Sequence, residues 1–445
     1  MSEHAYDIAA ARRHLRRSAC PGLFRIVPAR DGGICRVKLA LGQFSAAQAR
    51  AIACAAAHYG NAAIDVTNRA NLQLRGVAPD NEIALIDTLL DAGLGPAEIE
   101  ADDIRNVMVS PAAGIDRAAF IDTLPLARDL LSRLERDPAF AALSPKFSFL
   151  IDGGESVAAI DHRHDIWLAS VDADTMALGF AGTPPSRDDE DAAFGFCGID
   201  DAIDIVVTAV KLFLEEAARD SKITRLRHLQ RANFCDRLAT RLGARITPAK
   251  TWCRRAPVPL GHVGIHAQRQ DGLCFVGAVP PVARLSPDML MALADIAQES
   301  GDGTIRLTPW QSVLVPNIAQ ARVADATRAL RDAGFIGAVD HPLATMIACS
   351  GMTGCAMGKA DTKADAKVLA HQLGAVPGSC AVHLTGCAKS CASPRVAAAT
   401  LLAVSPGRYD LFVKSPDADG RFGRVVARDL DVSQVAALLT AKVTA

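Results

Sequence analysis

Residues 45–94 can be laid on residues 286–335 without a gap, at an offset of 241. A duplication of this length constrains the fold more than any single motif, because each copy must form the same supersecondary unit. Ser45 falls on Ser286, Gly60 on Gly301, Ile64 on Ile305 and Thr67 on Thr308. Leu89, Asp91, Ala92 and Gly93 fall on Leu330, Asp332, Ala333 and Gly334. The apolar pattern agrees, NAAIDVTNRANLQLRGV against DGTIRLTPWQSVLVPNI. In the first copy SAAQARAIACAAAHYG has a helical period after a Ser cap. AIDVTN and NLQLRG alternate apolar and polar residues, as half-buried strands do. Residues 80–93 read as a second helix, ended by Gly93. The sequence therefore predicts an α+β layer, helices packed on a sheet, built twice. The halves run roughly 1–240 and 245–445, and RRAPVPLG at 254–261 opens the second.

The rest of the chain narrows the class. Half of its 445 residues are hydrophobic and 22% are charged, which excludes wholesale disorder. The 48 basic and 49 acidic residues leave a net charge of −1, so no global field draws in nucleic acid or an anionic membrane. The longest near-continuous apolar stretch, around Val396–Val404, is far short of the ~20 residues of a spanning helix. MSEHAYDIAAARRHLRRSAC has early acidic residues and no apolar core, so no signal peptide is expected and the predicted address is cytoplasmic. RDDED at 187–191 reads as a solvated loop, and residues 203–230 as one or two amphipathic structural helices.

Twelve cysteines are many for a reducing compartment, where clustered cysteines more often bind metal or catalyse than form disulfides. Five of them fall within 43 residues. Cys349 and Cys355 have a C-x5-C spacing; Cys387 and Cys391, 31 residues further on, have C-x3-C. Four thiolates are the usual ligand set of a [4Fe–4S] cluster. Zinc competes, but its sites favour C-x2–4-C turns. Gly351, Gly354 and Gly386 let backbone approach the metal and offer amides to sulfur. The fifth, Cys380, reads as structural. At the repeat offset Met108 lies opposite Cys349 and Gly114 opposite Cys355, so the first half lacks the ligands.

C-x5-C followed by C-x3-C on a duplicated chain resembles the sirohaem-dependent sulfite and nitrite reductase family, over almost the whole length. TNRANLQLRG (67–76) and LTPWQSVLVP (307–316) look like its paired ferredoxin-like half-domains. DDIRNVMVSPAAG (102–114) looks like its Arg-Asn segment, SPKFSF (144–149) its lysine-bearing strand, and HLTGCAKSC (383–391) its second cysteine loop. The resemblance implies a duplicated α+β fold with pseudo-twofold symmetry. Ferredoxin-like half-domains at 15–100 and 255–340 would pair. Two α/β domains at 104–245 and 341–440 would follow them, the last carrying the cluster. RRSACPGLFRIVPARDGG (16–33), RANLQLRG and GCAKSCASP look like a branch that acts on a tetrapyrrole during aerobic cobalamin synthesis.

That resemblance carries expectations for the site. Arg69, Arg105 and Lys146 match positions where basic residues hold tetrapyrrole carboxylates, a task suited to the planar fork of Arg, and Arg75, which ends the same strand motif, is expected to join them. Ser148 stands where the reductases carry a second lysine, and Lys389 where they have a smaller polar residue. Both departures count against sulfite or nitrite reduction. The implied reaction is O2-dependent hydroxylation of precorrin-3A at C-20, with a γ-lactone formed from the ring A acetate. Its partners are precorrin-3A, O2 and an external electron donor, either an NADH-dependent reductase or ferredoxin-like. Its cofactors are the cluster on Cys349, Cys355, Cys387 and Cys391 and a mononuclear non-haem iron. Sirohaem enters only under the alternative, a sulfite or nitrite reductase. Two His and a carboxylate are a usual site for such iron. His262, His266, His341, His383 and the run Asp161, His162, His164, Asp165 all stand as candidates.

Overall fold

The structure is a computed structural model, and it describes residues 20–187, 192–249, 251–374, 381–393, 395–415 and 420–443. Residues 1–19, most of the RDDED run and Cys380 lie outside the described residues.

The repeat register holds to the residue. Helices Ala46–Tyr59 and Glu82–Asp91 recur as Pro287–Ser300 and Val323–Asp332, each end displaced by 241. The Ser45 hydroxyl accepts from the Gln48 amide and Ser286 from the Met289 amide, both at 3.1 Å, so the same cap starts both long helices. The tight turns recur too. Leu41 and Val282 have φ of 56° and 51°, and Ala70 and Gln311 have 52° and 65°. Such values are uncommon outside glycine, and matched pairs of them show that the two copies share a backbone path.

Each copy builds an antiparallel sheet and lends one strand to the other. In the first sheet Val27–Ala29, Gly32–Val37, Leu72–Val77 and Ile64–Val66 are followed by the borrowed Arg284–Leu285. In the second, Gly264–Ala267, Leu273–Ala278, Val313–Ala319 and Thr304–Leu307 are followed by Gln43–Ser45. Asp65 faces Arg284 across one junction and Arg306 faces Gln43 across the other. One apolar core runs through both sheets and includes Ile52, Leu72 and Leu85 with Leu290, Leu293 and Val313. The exchanged strands and the shared core make the two copies one body.

The remaining two sheets also share a plan. Val107–Val109, Phe149–Asp152 and His164–Ser170 run parallel, then Thr175–Gly182, Gly195–Gly198 and Thr247–Pro248 continue antiparallel. Ile347–Ala348, Val382–Thr385 and Ala399–Ser405 run parallel, then Arg408–Val413 and Arg424–Leu430 continue antiparallel. Helices Leu124–Arg136 and Thr362–Leu373 make the first crossover in each, as parallel neighbours require. The inner strands Phe149–Asp152 and Val382–Thr385 are buried at every position, as expected of parallel strands covered on both faces. The fold is thus α+β with pseudo-twofold symmetry.

Residues 203–230 hold one long helix, Ala202–Ala217, and a short turn, Leu226–His228; a second helix starts at Arg231. The Pro-rich stretch has no regular structure but is anchored: the Arg254 guanidinium donates twice to Asp152, at 2.6 and 2.9 Å. Among the described residues no helix is long and apolar enough to cross a membrane.

Candidate functional site

Both cysteine pairs sit at the carboxyl ends of adjacent parallel strands, where open α/β sheets place their ligands. Cys349 follows Ile347–Ala348, and Cys387 follows Val382–Thr385. A single helical turn, Gly351–Gly354, carries the chain from Cys349 to Cys355. Gly351 has a φ of +60°, and a Cβ on Gly358 would lie 2.4 Å from the Gly351 carbonyl carbon, so this loop closes only because both are glycine. The Gly386 amide donates to Cys349 Sγ at 3.1 Å, joining the two loops through a sulfur. Burial raises the Cys391 thiol pKa, and the charges of Cys387, Cys349 and Cys355 raise it further; the four sulfurs share one neighbourhood.

This donor set fits a four-iron cluster: four thiols on two glycine-rich loops, with a backbone amide on one sulfur. Among the described residues, no group of three or more His, Cys, Asp or Glu is disposed to hold a metal ion. A cubane cluster spaces its thiolates more widely than one ion does, so that geometry disfavours zinc but not the cluster.

Two adjoining clefts open beside the cysteines, with empty volumes of about 590 and 760 Å³ including their mouths. Asn68, Ala283, Gln311 and Ala392 line both. The first is polar and includes Arg36, Gln73, Lys363, Cys349 and Cys391. The second is more apolar, with His162, His262, Trp310, Met346 and Arg395. The His262 ring stacks on Trp310 with centroids 4.4 Å apart and planes 16° from parallel, which gives this cleft a flat aromatic wall. Both half-domains, the cysteine-bearing sheet through Ile347 and Ala348, and the loop that carries His162 contribute to the lining.

The sequence-derived basic residues are not all here. Arg69 and Arg105 line a third cleft, of about 420 Å³ including its mouth, with Asn106 and Met108. Among the described residues Arg69 has no ion-pair partner; burial lowers its pKa and the neighbouring charge of Arg225 adds to that, while Asp165 opposes them. Arg105 Nε lies 2.8 Å from Glu135 Oε1, a charge contact whose atoms are not aligned as a hydrogen bond. Lys146 is exposed and lines none of the three clefts, and Ser148 is fully buried. Arg75 is only 3% exposed and faces inward. Its guanidinium donates twice to Asp31 at 2.8 Å and once to the Gly354 carbonyl at 2.7 Å. The role expected for Arg75, holding a substrate carboxylate, therefore gives way to an internal one.

Sequence reasoning missed Arg36 and Arg395. Arg36 sits in the middle of a strand and carries no motif. With the Gln73 amide oriented to suit, it donates to Gln73 at 2.7 and 3.1 Å and otherwise faces the polar cleft. Arg395 pairs with Asp161 at the rim of the other.

Of the candidate histidines, only His162 and His262 share a cleft. Burial lowers their pKa values to about 4 and about 3, with the charge of Arg69 adding to the first and that of His266 to the second. Both are therefore neutral. His266 Nε2 contacts the Val263 carbonyl at 2.8 Å, and the His341 ring accepts from the Leu343 amide. His164 and His383 are buried, with no partner on any ring nitrogen among the described residues. Asp165 is taken up by Arg225 and the amides of Ser148 and Leu226. The described residues hold no assembled two-His-one-carboxylate set, so the expected mononuclear iron has no fitted site among them.

Comparison with known proteins agrees with this architecture. Residues 27–92 and 266–333 match the nitrite/sulfite reductase ferredoxin-like half domain. Residues 100–232 match the nitrite and sulphite reductase 4Fe-4S domain. The latter match falls on the half without the cysteine pairs, whose strand plan the cysteine-bearing half repeats. The chain is 30% identical to a precorrin-3B synthase of Sinorhizobium sp, over 95% of this chain and 91% of that one. It is 28% identical to the chloroplastic ferredoxin–nitrite reductase of Zea mays, over 81% of this chain and 68% of that one. Among solved structures the fold resembles the Mycobacterium tuberculosis NirA protein, with a TM-score of 0.72 at 21% identity, covering 92% of this chain and 79% of that one.

Proposed function

The chain belongs to the nitrite/sulfite reductase family, and on that premise we propose that it catalyses the precorrin-3B synthase reaction. In this reading precorrin-3A is hydroxylated at C-20 with one atom of O2. The other atom leaves as water, with two electrons and two protons from an external donor, and the ring A acetate closes a γ-lactone. The donor is an NADH-dependent reductase or a ferredoxin-like protein.

One observation carries the proposal: the match to a precorrin-3B synthase runs nearly end to end on both chains. The site chemistry supports it. Cys349, Cys355, Cys387 and Cys391 would hold a [4Fe–4S] cluster, which supplies electrons one at a time. Arg36, Arg69 and Arg395 would meet the carboxylates of the tetrapyrrole. The His262–Trp310 stack offers a flat wall to the macrocycle. Asn68 and Gln311, at the junction of the clefts, would position its edge. The lysine pair of the reductases is not reproduced, because Lys146 is exposed and Ser148 is buried.

Arg36 gives this reading a local test. Arg36→Ala should weaken precorrin-3A binding by roughly ten- to a hundredfold, the value of a charged hydrogen bond of about 1.5–3 kcal/mol. Lys146→Ala should leave affinity unchanged. Equal losses in the two variants, or none in Arg36→Ala, would remove the polar cleft from the substrate site.

A second reading is a sirohaem-dependent sulfite or nitrite reductase, favoured by the identity to nitrite reductases over 81% of the chain. The visible spectrum of anaerobically purified protein, with iron and acid-labile sulfide assayed on the same sample, separates the two. The monooxygenase reading expects a broad shoulder near ~400 nm, about four sulfides per chain and no haem bands. Sharp porphyrinoid bands without added precorrin would transfer the assignment to the reductase.

A further inference from the structure

Asp65 is 7% exposed and surrounded by cations from three parts of the fold. Arg284, from the other half-domain, pairs with it twice, at 2.9 and 3.0 Å. Lys363, from the helix after the first cysteine loop, lies 3.6 Å away. Arg75, from the adjacent strand of the same sheet, lies at 3.5 Å and is also held by Asp31. Burial alone would raise the Asp65 carboxyl pKa; the charges of Lys363, Arg284 and Arg75 reverse that and bring it below its ordinary value.

Two of these cations reach past Asp65 to the backbone of the cysteine loop. Arg75 donates to the Gly354 carbonyl at 2.7 Å, the residue before Cys355. Lys363 donates to the Ala348 carbonyl at 3.5 Å, the residue before Cys349. The Arg75 approach requires glycine, since a Cβ on Gly354 would lie 2.5 Å from the guanidinium. Arg75 itself lines neither of the two clefts, and its head is taken up by Asp31, Asp65 and the Gly354 carbonyl.

We propose that Arg75, held by Asp31 and Asp65, is a positioning residue that fixes the first cysteine loop and sets the reduction potential of the cluster. The inference rests on the cluster reading of the four cysteines. A fixed positive charge beside an anionic cluster favours the state with one more electron. In a dry interior that effect is not screened as it is at the surface. Removing the cation should lower the potential. Removing one of its counter-charges should raise it.

The test is a redox titration of the cluster in the full-length holoprotein, followed by electron paramagnetic resonance. Arg75→Gln is expected to lower the reduction equilibrium constant about tenfold, which is 59 mV for one electron. Asp31→Asn should shift it the opposite way, and Arg75→Lys should recover most of the loss. A merely structural role would not reverse its sign between these variants. Unchanged potentials, or shifts of one sign, in variants that keep their iron and sulfide would overturn the proposal. If Arg75→Gln fails to hold a cluster, the half-buried Asp31 decides alone, and an unshifted Asp31→Asn sinks it. Failure of the cluster reading is distinct, because the wild-type protein would then carry no iron or sulfide to titrate, and this proposal would fall with it.

Discussion

Cys391→Ser is expected to give a folded chain that has lost most of its iron and acid-labile sulfide and all turnover. Cys391 is the only exposed member of the four and packs into no core, so its replacement removes a ligand without opening a cavity. A serine hydroxyl is a far poorer iron ligand than a thiolate and gives up its proton to a metal far less readily than a thiol does. Far-ultraviolet circular dichroism should be unchanged while sulfide falls well below four per chain. Cys54→Ser is the matched control: Cys54 is exposed on helix Ala46–Tyr59, away from both loops, and its replacement should cost nothing. A Cys391→Ser protein with a full cluster would disprove the ligand assignment.

Acid should destabilise the apoprotein over an unusually mild range. His162, His262 and His383 are buried and neutral, with pKa values lowered by burial to about 4, about 3 and about 4. In the unfolded chain a histidine titrates near 6.5. Between that value and the folded pKa the unfolded state binds more protons, so stability falls as pH falls. Each fully titrating group costs about 1.4 kcal/mol per pH unit below 6.5. At pH 5 the three together amount to roughly 4–6 kcal/mol, a large part of the 5–15 kcal/mol typical of a folded domain. Urea midpoints measured at pH 7 and pH 5 check this. His383→Phe should flatten the difference, because it removes one titrating group from a site with no ring partner among the described residues. Equal midpoints at the two pH values would show that these rings are hydrated and titrate normally.

The duplication was legible because a shared backbone path leaves marks at the same offset. Caps, glycines and turn positions coincide over fifty residues, and the helix ends follow them. The exchange of Gln43–Ser45 and Arg284–Leu285 between sheets left no mark. Alternation shows that a strand exists and which face is apolar, but not which edge it joins. Arg75 was misplaced for a related reason. The ladder pairs Gly33 with Val77 and Cys35 with Leu74, so one residue on that strand faces two on the other. A bulge of this kind re-aims a side chain. Here it turns Arg75 away from the cleft and toward Asp31. The cysteine pairs were readable because their chemistry is rare and their spacing local. Arg36 and Arg395 were not, since neither carries a motif, and the His262–Trp310 wall was not, since a candidate histidine and a motif tryptophan from distant segments meet only in the fold.

The central claim is that a tetrapyrrole is substrate here and O2 the co-substrate. It is tested most directly by incubating the reconstituted protein with precorrin-3A, a reductant and ¹⁸O2, and weighing the product by mass spectrometry. The expected result is a product carrying one ¹⁸O atom, formed only when the cluster is present. Unlabelled precorrin-3A recovered intact, from protein that instead consumes sulfite or nitrite, would contradict it.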